Sequence, residues 1–202
     1  MRKVKKFKLT SEFIVDISGV KLFRIKALIE FGNVKAGDLG GYIEKEENLS
    51  HMGNAWVSGN AQVSGDARVS GDARVSGNAW VSGNAQVSGD ARVSGNARVS
   101  GNAQVSGDAR VSGNARVSGD AQVFGDARVS GDKDYAYAHG FGSCNRTTTF
   151  FRLKDGDVGV RCGCFYGTLA QFRDNVCETH GETKKAQEYL MLADLMDFRF
   201  KN

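Results

Sequence analysis

Between residues 55 and 129 the hydrophobic positions recur every six residues. Valine stands at 57, 63, 69, 75, 81, 87, 93, 99, 105, 111, 117, 123 and 129, and an alanine stands two residues before each. The repeated phrase is Val-Ser-Gly-[Asn/Asp]-Ala-x, in which x is Trp, Gln or Arg. Ala-x-Val reads as a short strand with Ala and Val pointing inward and x outward, and Ser-Gly-Asx reads as a turn built from residues that tolerate unusual backbone angles. A helix is excluded: a glycine in every hexad would cost roughly 1 kcal/mol each, and a period of six matches neither 3.6 nor 3.5. The economical solution is a β-solenoid in which three hexads make one triangular coil and coils stack at about 4.8 Å through parallel ladders.

The flanks follow other patterns. Glu12 to Asp16, a turn at Ser18-Gly19 and Val20 to Ile29 predict a hairpin with Phe23, Ile25, Ala27 and Ile29 on one face. A Gly-rich loop, Gly37-Asp-Leu-Gly-Gly-Tyr-Ile, follows. No Gly-Lys-Ser/Thr comes after it, so it is no phosphate loop, and its expected use is to fit backbone against the first coil. Beyond Asp132, Thr147 to Leu153 and Val158 to Phe165 predict a second hairpin turning at Asp155-Gly156. Thr168-Leu-Ala-Gln171 is a capping box opening a helix to about His180, with Gly181 to stop it. A last helix over about 184–198 carries Ala186, Tyr189, Leu190, Ala193 and Met196 as its apolar face. The expected organisation is an N-terminal β-hairpin cap (1–50), a hexapeptide-repeat solenoid (51–132) and a C-terminal ββαα module (133–202). The caps are needed because a bare solenoid end exposes an unpaired strand and its Val/Ala core. Phe7, Phe23 and Tyr42 at one end, and Tyr135, Tyr137 and Phe141 at the other, are the expected covers.

An aliphatic residue followed four positions later by a small one, as in Val57…Ala61 and Val63…Ala67, resembles the hexapeptide-repeat left-handed β-helix family. That resemblance implies a mainly β fold, a three-sided left-handed parallel β-helix with 18 residues per coil. The run Val34-Lys-Ala-Gly-Asp-Leu-Gly-Gly-Tyr-Ile, with Asn48-Leu-Ser and Gly53-Asn-Ala-Trp-Val, resembles the leader of bacterial and phage repeat proteins often labelled as transferases or polymer-forming proteins. The C-terminal unit is similar to modules carried by phage-type proteins.

Reading every third x separates three faces. The first holds Trp56, Arg74, Arg92, Arg110 and Arg128, beside Asn54, Asp72, Asp90, Asp108 and Asp126. The second holds Gln62, Trp80, Arg98 and Arg116, beside Asn60, Asn78, Asn96 and Asn114. The third holds Arg68, Gln86, Gln104 and Gln122. Stacked arginines repel, so an Arg column is best tolerated beside an Asp column, while Asn and Gln columns can bond to themselves from coil to coil. Each of Arg74, Arg92 and Arg110 is expected to pair with the Asp two residues before it. On the second face no Asp appears until Asp132. Trp80, Arg98 and Arg116 are therefore the candidate binding strip for a small anionic ligand such as a nucleotide signal.

Composition adds limits. No apolar run is long enough to span a membrane and the basic start is not followed by a signal-type segment, so no membrane partner is expected and the expected location is the cytoplasm of a bacterial host. The formal charge of +4 is spread thinly: ten Lys/Arg against seven acids over 1–50, seven against seven over 51–132, and ten against nine over 133–202. That surplus is a solubility feature, and nucleic acid is not an expected partner.

The hexapeptide-family resemblance implies an acyltransferase as the enzymatic alternative, with a histidine base beside a cleft between coils. Residues 52–138 contain no His; His51 and His139 bracket the solenoid, so the expectation is a non-enzyme. Ice binding is set aside, because no Thr occurs between Thr10 and Thr147. All four cysteines, at 144, 162, 164 and 177, follow the repeat, which suits a reducing compartment. Cys162 and Cys164 on one side of a strand, with Cys177 and His180 at a helix end, form a candidate zinc set. The expected function is a non-enzymatic, homo-oligomeric binding or scaffolding protein of phage or prophage type, for which sequestering a nucleotide signal against host defence is one use.

Overall fold

The computed structural model describes residues 5–142 and 146–201. It is mainly β, a left-handed parallel β-helix of about five turns with strands before it and two helices near its end. Thirteen two-residue strands, β4 (Trp56–Val57) to β16 (Arg128–Val129), follow the hexads one for one. They sort into the three expected faces: β4, β7, β10, β13 and β16; β5, β8, β11 and β14; and β6, β9, β12 and β15. Register is set by the 18-residue spacing, with Arg92 opposite Arg74 and Arg110, and Arg98 opposite Trp80 and Arg116.

All thirteen repeat valines and their alanines are at most 1% exposed. The core is thus one side chain wide and continuous along the rod. Space at the corners is just as tight. Gly95 sits at φ +68°, and a Cβ there would lie 3.0 Å from the Gly113 nitrogen of the next coil. Both the left-handed backbone and the stacking distance demand glycine.

A parallel solenoid has two chemically different ends. Within it many N–H groups donate to a carbonyl of the following coil, as Trp56 N–H does to Ala73 O and Asn60 N–H to Gly77 O. The first coil thus presents carbonyls with no coil before them and the last presents N–H groups with no coil after them, and these must find partners in the flanking segments.

Donors come from the N-terminal segment. Strand β1 (Phe7–Val15) pairs antiparallel with β2 (Lys21–Ala27), and β2 with β3 (Leu39–Ile43). The Gly-rich stretch expected to be a loop is thus mostly strand, and β3 runs parallel to β5 with Ile43 opposite Val63. Its expected fit against the first coil holds, since a Cβ on Gly41 would lie 2.6 Å from Ala61 O. Tyr42 and Glu44 N–H donate to Ala61 O and Val63 O, and Ser50 N–H to Val69 O. Two side chains add further donors. Asn48 Nδ2 donates to Gly65 O (3.0 Å) and Ala67 O (2.8 Å), while Lys6 Nζ donates to Gly53 O (3.2 Å) and Ala55 O (2.8 Å).

Of the expected covers, Phe7 is fully buried and Tyr42 nearly so. On β2, Ile25 and Ala27 are buried, Phe23 is half-buried, and Ile29 is exposed because the strand ends at Ala27.

Acceptors come from the C-terminal segment. Arg116 N–H donates to Asp132 Oδ1 (2.9 Å) and Gln122 N–H to Thr149 Oγ1 (2.9 Å). Tyr135 is the buried cover here, whereas Tyr137 and Phe141 are exposed. The segment holds two strands more than the expected hairpin: β17 (Tyr135–Ala138), β18 (Thr148–Arg152), β19 (Val158–Cys162) and β20 (Phe165–Thr168) form one antiparallel sheet in chain order. Helix α1 (Leu169–His180) opens on the expected Thr168/Gln171 capping box, and α2 (Lys184–Phe200) buries Ala186, Tyr189, Ala193, Met196 and Phe200, with Leu190 half-buried.

Phe124 joins this module to the rod. It stands where each other hexad has Ser, stacks edge-on against Tyr166 (5.1 Å) and lies under the Arg161 guanidinium (5.3 Å).

Candidate functional site

The second face carries the candidate site. Its corner is a hydrogen-bonded chain in which Asn60 donates to Asn78 (3.3 Å), Asn78 to Asn96 (3.2 Å) and Asn96 to Asn114 (3.2 Å). Each amide is neutral and its polar groups are spent on the next coil, so the ladder offers no charge to the adjacent arginines. Trp80 is half-buried, and the Arg98 guanidinium lies over its ring at 5.2 Å. Arg116, one rung further, is exposed. Among the described residues neither the Arg98 nor the Arg116 guanidinium forms an ion pair within 4.0 Å.

The strip runs into a cleft of about 390 Å³ between the solenoid and the C-terminal segment, lined by Arg116, Ser118, Asp132, Tyr135, Tyr137 and Arg199. Asp132 ties its two sides together: its carboxylate accepts the Arg116 N–H, and its carbonyl accepts from Arg199 Nη2 at 3.1 Å. Sequence reasoning missed Arg199, which lies 83 residues from Arg116 (199 − 116) on the last helix. No local pattern links the two.

The first face differs from expectation. Among the described residues no Asp–Arg ion pair forms there within 4.0 Å. The Asp and Arg columns instead stand on either side of grooves, one of about 420 Å³ lined by Asp90, Arg92, Asp108, Arg110, Asp126 and Arg128. Neutralisation is by column rather than by pair. Arg128 turns its guanidinium to the carbonyls of Asp108, Asp126 and Ala127.

A larger cleft, about 630 Å³, opens where the N-terminal segment meets the third face, lined in part by Glu46, Glu47, His51, Arg68 and Gln86. Its two carboxylates oppose an anion. Glu46 is held below the ordinary carboxylate range by its hydrogen bond from Lys5 (2.8 Å). His51 is stacked on Phe7 (4.3 Å), its Nδ1 accepts the Lys6 N–H (3.2 Å), and its buried Nε2 faces Glu46 at 3.7 Å without a hydrogen bond. His139 Nδ1 meets Thr147 Oγ1 at 3.0 Å, so each of these histidines has its Nδ1 engaged beside an end of the rod.

The candidate zinc set is arranged otherwise than the sequence suggests. Cys162 ends β19 and Cys164 precedes β20, with Gly163 at φ +58° between them, so the pair flanks a tight turn instead of sharing a strand face. Cys162 accepts from Thr148 Oγ1 (3.2 Å), Cys164 and Cys177 are exposed, and His180 stacks on Tyr189. Among the described residues no three His, Cys, Asp or Glu side chains gather where they could hold a metal ion. Cys144 lies outside the described residues. No helix among them is long and apolar enough to cross a membrane.

Comparison with known proteins bears on the rod alone. The YdcK beta-solenoid repeat model matches residues 61–75, 67–83, 73–89, 85–101, 91–107, 103–119 and 109–123, so the central coils are similar to that repeat. No curated protein matches the chain.

Proposed function

We propose that this chain is a non-enzymatic binding scaffold of phage or prophage type, acting in the bacterial cytoplasm, which holds a small anionic ligand on the second face of its solenoid. The observation that carries this reading is the pair Arg98 and Arg116, two guanidiniums that form no ion pair within 4.0 Å among the described residues, on a ladder of neutral asparagines. The half-buried Trp80 adds an apolar and aromatic surface beside them.

Occupation of His51 and His139 supports a binder over the acyltransferase alternative. Self-association belongs to the same proposal. Helix α2 leaves Met191, Leu195 and Phe198 exposed by 70, 56 and 72% at four- and three-residue spacing, a second apolar stripe suited to another copy of the chain.

The test compares two double variants. Arg98→Gln with Arg116→Gln should weaken binding of a nucleotide panel by about 1–3 kcal/mol, whereas Arg92→Gln with Arg110→Gln should leave it within about 0.5 kcal/mol. Native mass spectrometry of freshly purified protein reads oligomer size and any retained ligand together. Equal losses in both variants would refute a second-face site, and an apo monomer that takes up no nucleotide would refute the proposal.

A further inference from the structure

We infer that the cleft between the second face and α2 is an anchor for the phosphate of a phosphate ester, gripped between Arg116 and Arg199; this rests on the anionic-ligand reading above and specifies its chemistry. Two guanidiniums from distant parts of the chain reach one cleft because Asp132 binds both residues, through its carboxylate to the Arg116 N–H and through its carbonyl to Arg199. Only Arg199 spends a side-chain donor in doing so. Neither guanidinium has a carboxylate within 4.0 Å among the described residues, so most of their N–H groups remain available.

The chemistry around them fits phosphate. A planar fork of N–H donors matches two phosphate oxygens at once, and a second arginine from the opposite wall can take the third. Tyr137 supplies a hydroxyl donor. That hydroxyl is seated against Gly119, where a Cβ would lie only 2.7 Å from it, so any larger residue at 119 would displace it. Among the described residues Asp132 is the one carboxylate lining the cleft; two arginines against it leave one net positive charge. The cleft, about 390 Å³, is larger than a lone phosphate needs and falls within the roughly 300–1,000 Å³ of small-ligand sites. The ring of Tyr137, 42% exposed, offers the remaining volume a stacking surface.

The experiment titrates the full chain by calorimetry with pyrophosphate, adenosine 5′-monophosphate and, as the uncharged control, adenosine. The monophosphate is expected to bind and adenosine to bind about tenfold or more weakly. Arg199→Gln and Arg116→Gln should each weaken the monophosphate by about tenfold or more, Arg199→Lys by less, and the first-face Arg92→Gln by under about threefold. Melting curves confirm that each variant is folded. Because Arg199 also bonds Asp132, the Tyr137→Phe variant, which leaves both arginines and the coil backbone intact and removes only the hydroxyl, provides a second reading and should weaken binding. Binding that survives in Arg199→Gln but falls in Arg98→Gln would overturn this anchor while sparing the second-face reading. No binding of either phosphate compound up to about 10 mM, the level at which affinity falls below ~3 kcal/mol, would overturn both. Pyrophosphate bound as tightly as the monophosphate, with adenosine inert, would reduce the site to a phosphate grip without an ester.

Discussion

Lys6 is a buried cation whose charge acts against the fold it completes. It is 1% exposed, and burial pushes its pKa from 10.5 down to about 8, with Asp72 pulling part of the way back. A group whose pKa is lower folded than unfolded carries more protons in the unfolded chain between the two values, so stability must rise with pH there. The full difference, 10.5 − 8 = 2.5, corresponds to ~3 kcal/mol. About 2 kcal/mol of it should be recovered between pH 7 and 9.5. Hydrogen bonding does not cancel the gain. A neutral amine keeps two N–H donors, as many as the two carbonyls it serves, Gly53 O and Ala55 O. The perturbation is Lys6→Met, which keeps much of the packing and removes the titration. Urea unfolding of both proteins from pH 7 to 9.5 gives the stability difference, in which other titrating groups largely cancel. Wild type should gain on the variant by about 2 kcal/mol over that range. A difference flat within about 0.5 kcal/mol, or one that falls with pH, would show that the amine keeps its solvation and that the end of the rod is open.

Val93→Asp should prevent folding, because an unpaired carboxylate would sit in a core one side chain wide; a soluble mutant with wild-type circular dichroism would contradict that. Phe124→Ser restores the repeat and should loosen the C-terminal sheet by about 1–3 kcal/mol, seen as faster amide exchange in β19 and β20 with the central coils unchanged. Incubation with acetyl-CoA and a panel of amines and alcohols should release no thiol above background, and turnover abolished by changing His51 or His139 would favour the acyltransferase. Elemental analysis should find less than half an equivalent of zinc; a full equivalent lost in Cys162→Ser with Cys164→Ser would restore the metal reading.

The rod was legible because repetition makes each position a repeated measurement. Reading every third x assigned all thirteen strands to faces, and the bonded Asn column follows from the same arithmetic. The caps were less legible. Ile43 lies under Val63 and Leu49 under Val69, twenty residues back (63 − 43 and 69 − 49) instead of eighteen, and neither is a valine. Lys6 and Asn48 act as backbone substitutes, a role that no periodicity announces. Phe124 was visible as the one hexad where Ser is replaced, and its meaning appears only with Tyr166 and Arg161 in place. The first-face pairs failed for a geometric reason: neighbouring columns on a rigid corner and strand neutralise one another without the contact that sequence proximity suggests.

Repetition also constrains where function can reside. A periodic face offers the same environment at each coil, so a ligand recognising one rung meets near-equivalent competitors one coil away. Chemistry that occurs once must come from a departure in the repeat or from a neighbouring module. Both departures on the second face point toward its ends: Trp80 replaces the Gln or Arg of its column, and Asp132 replaces the Asn of its corner. The polarity of the ends then decides what each junction can attract. The N-terminal end needs donors, and its buried donors are consumed by carbonyls of the first coil. The C-terminal end needs acceptors, so Asp132 turns its carboxylate to the rod's own N–H and leaves the Arg116 and Arg199 guanidiniums facing the cleft. An anion site at that junction is therefore a by-product of closing the solenoid, since the one acid that caps it balances only one of the two arginines.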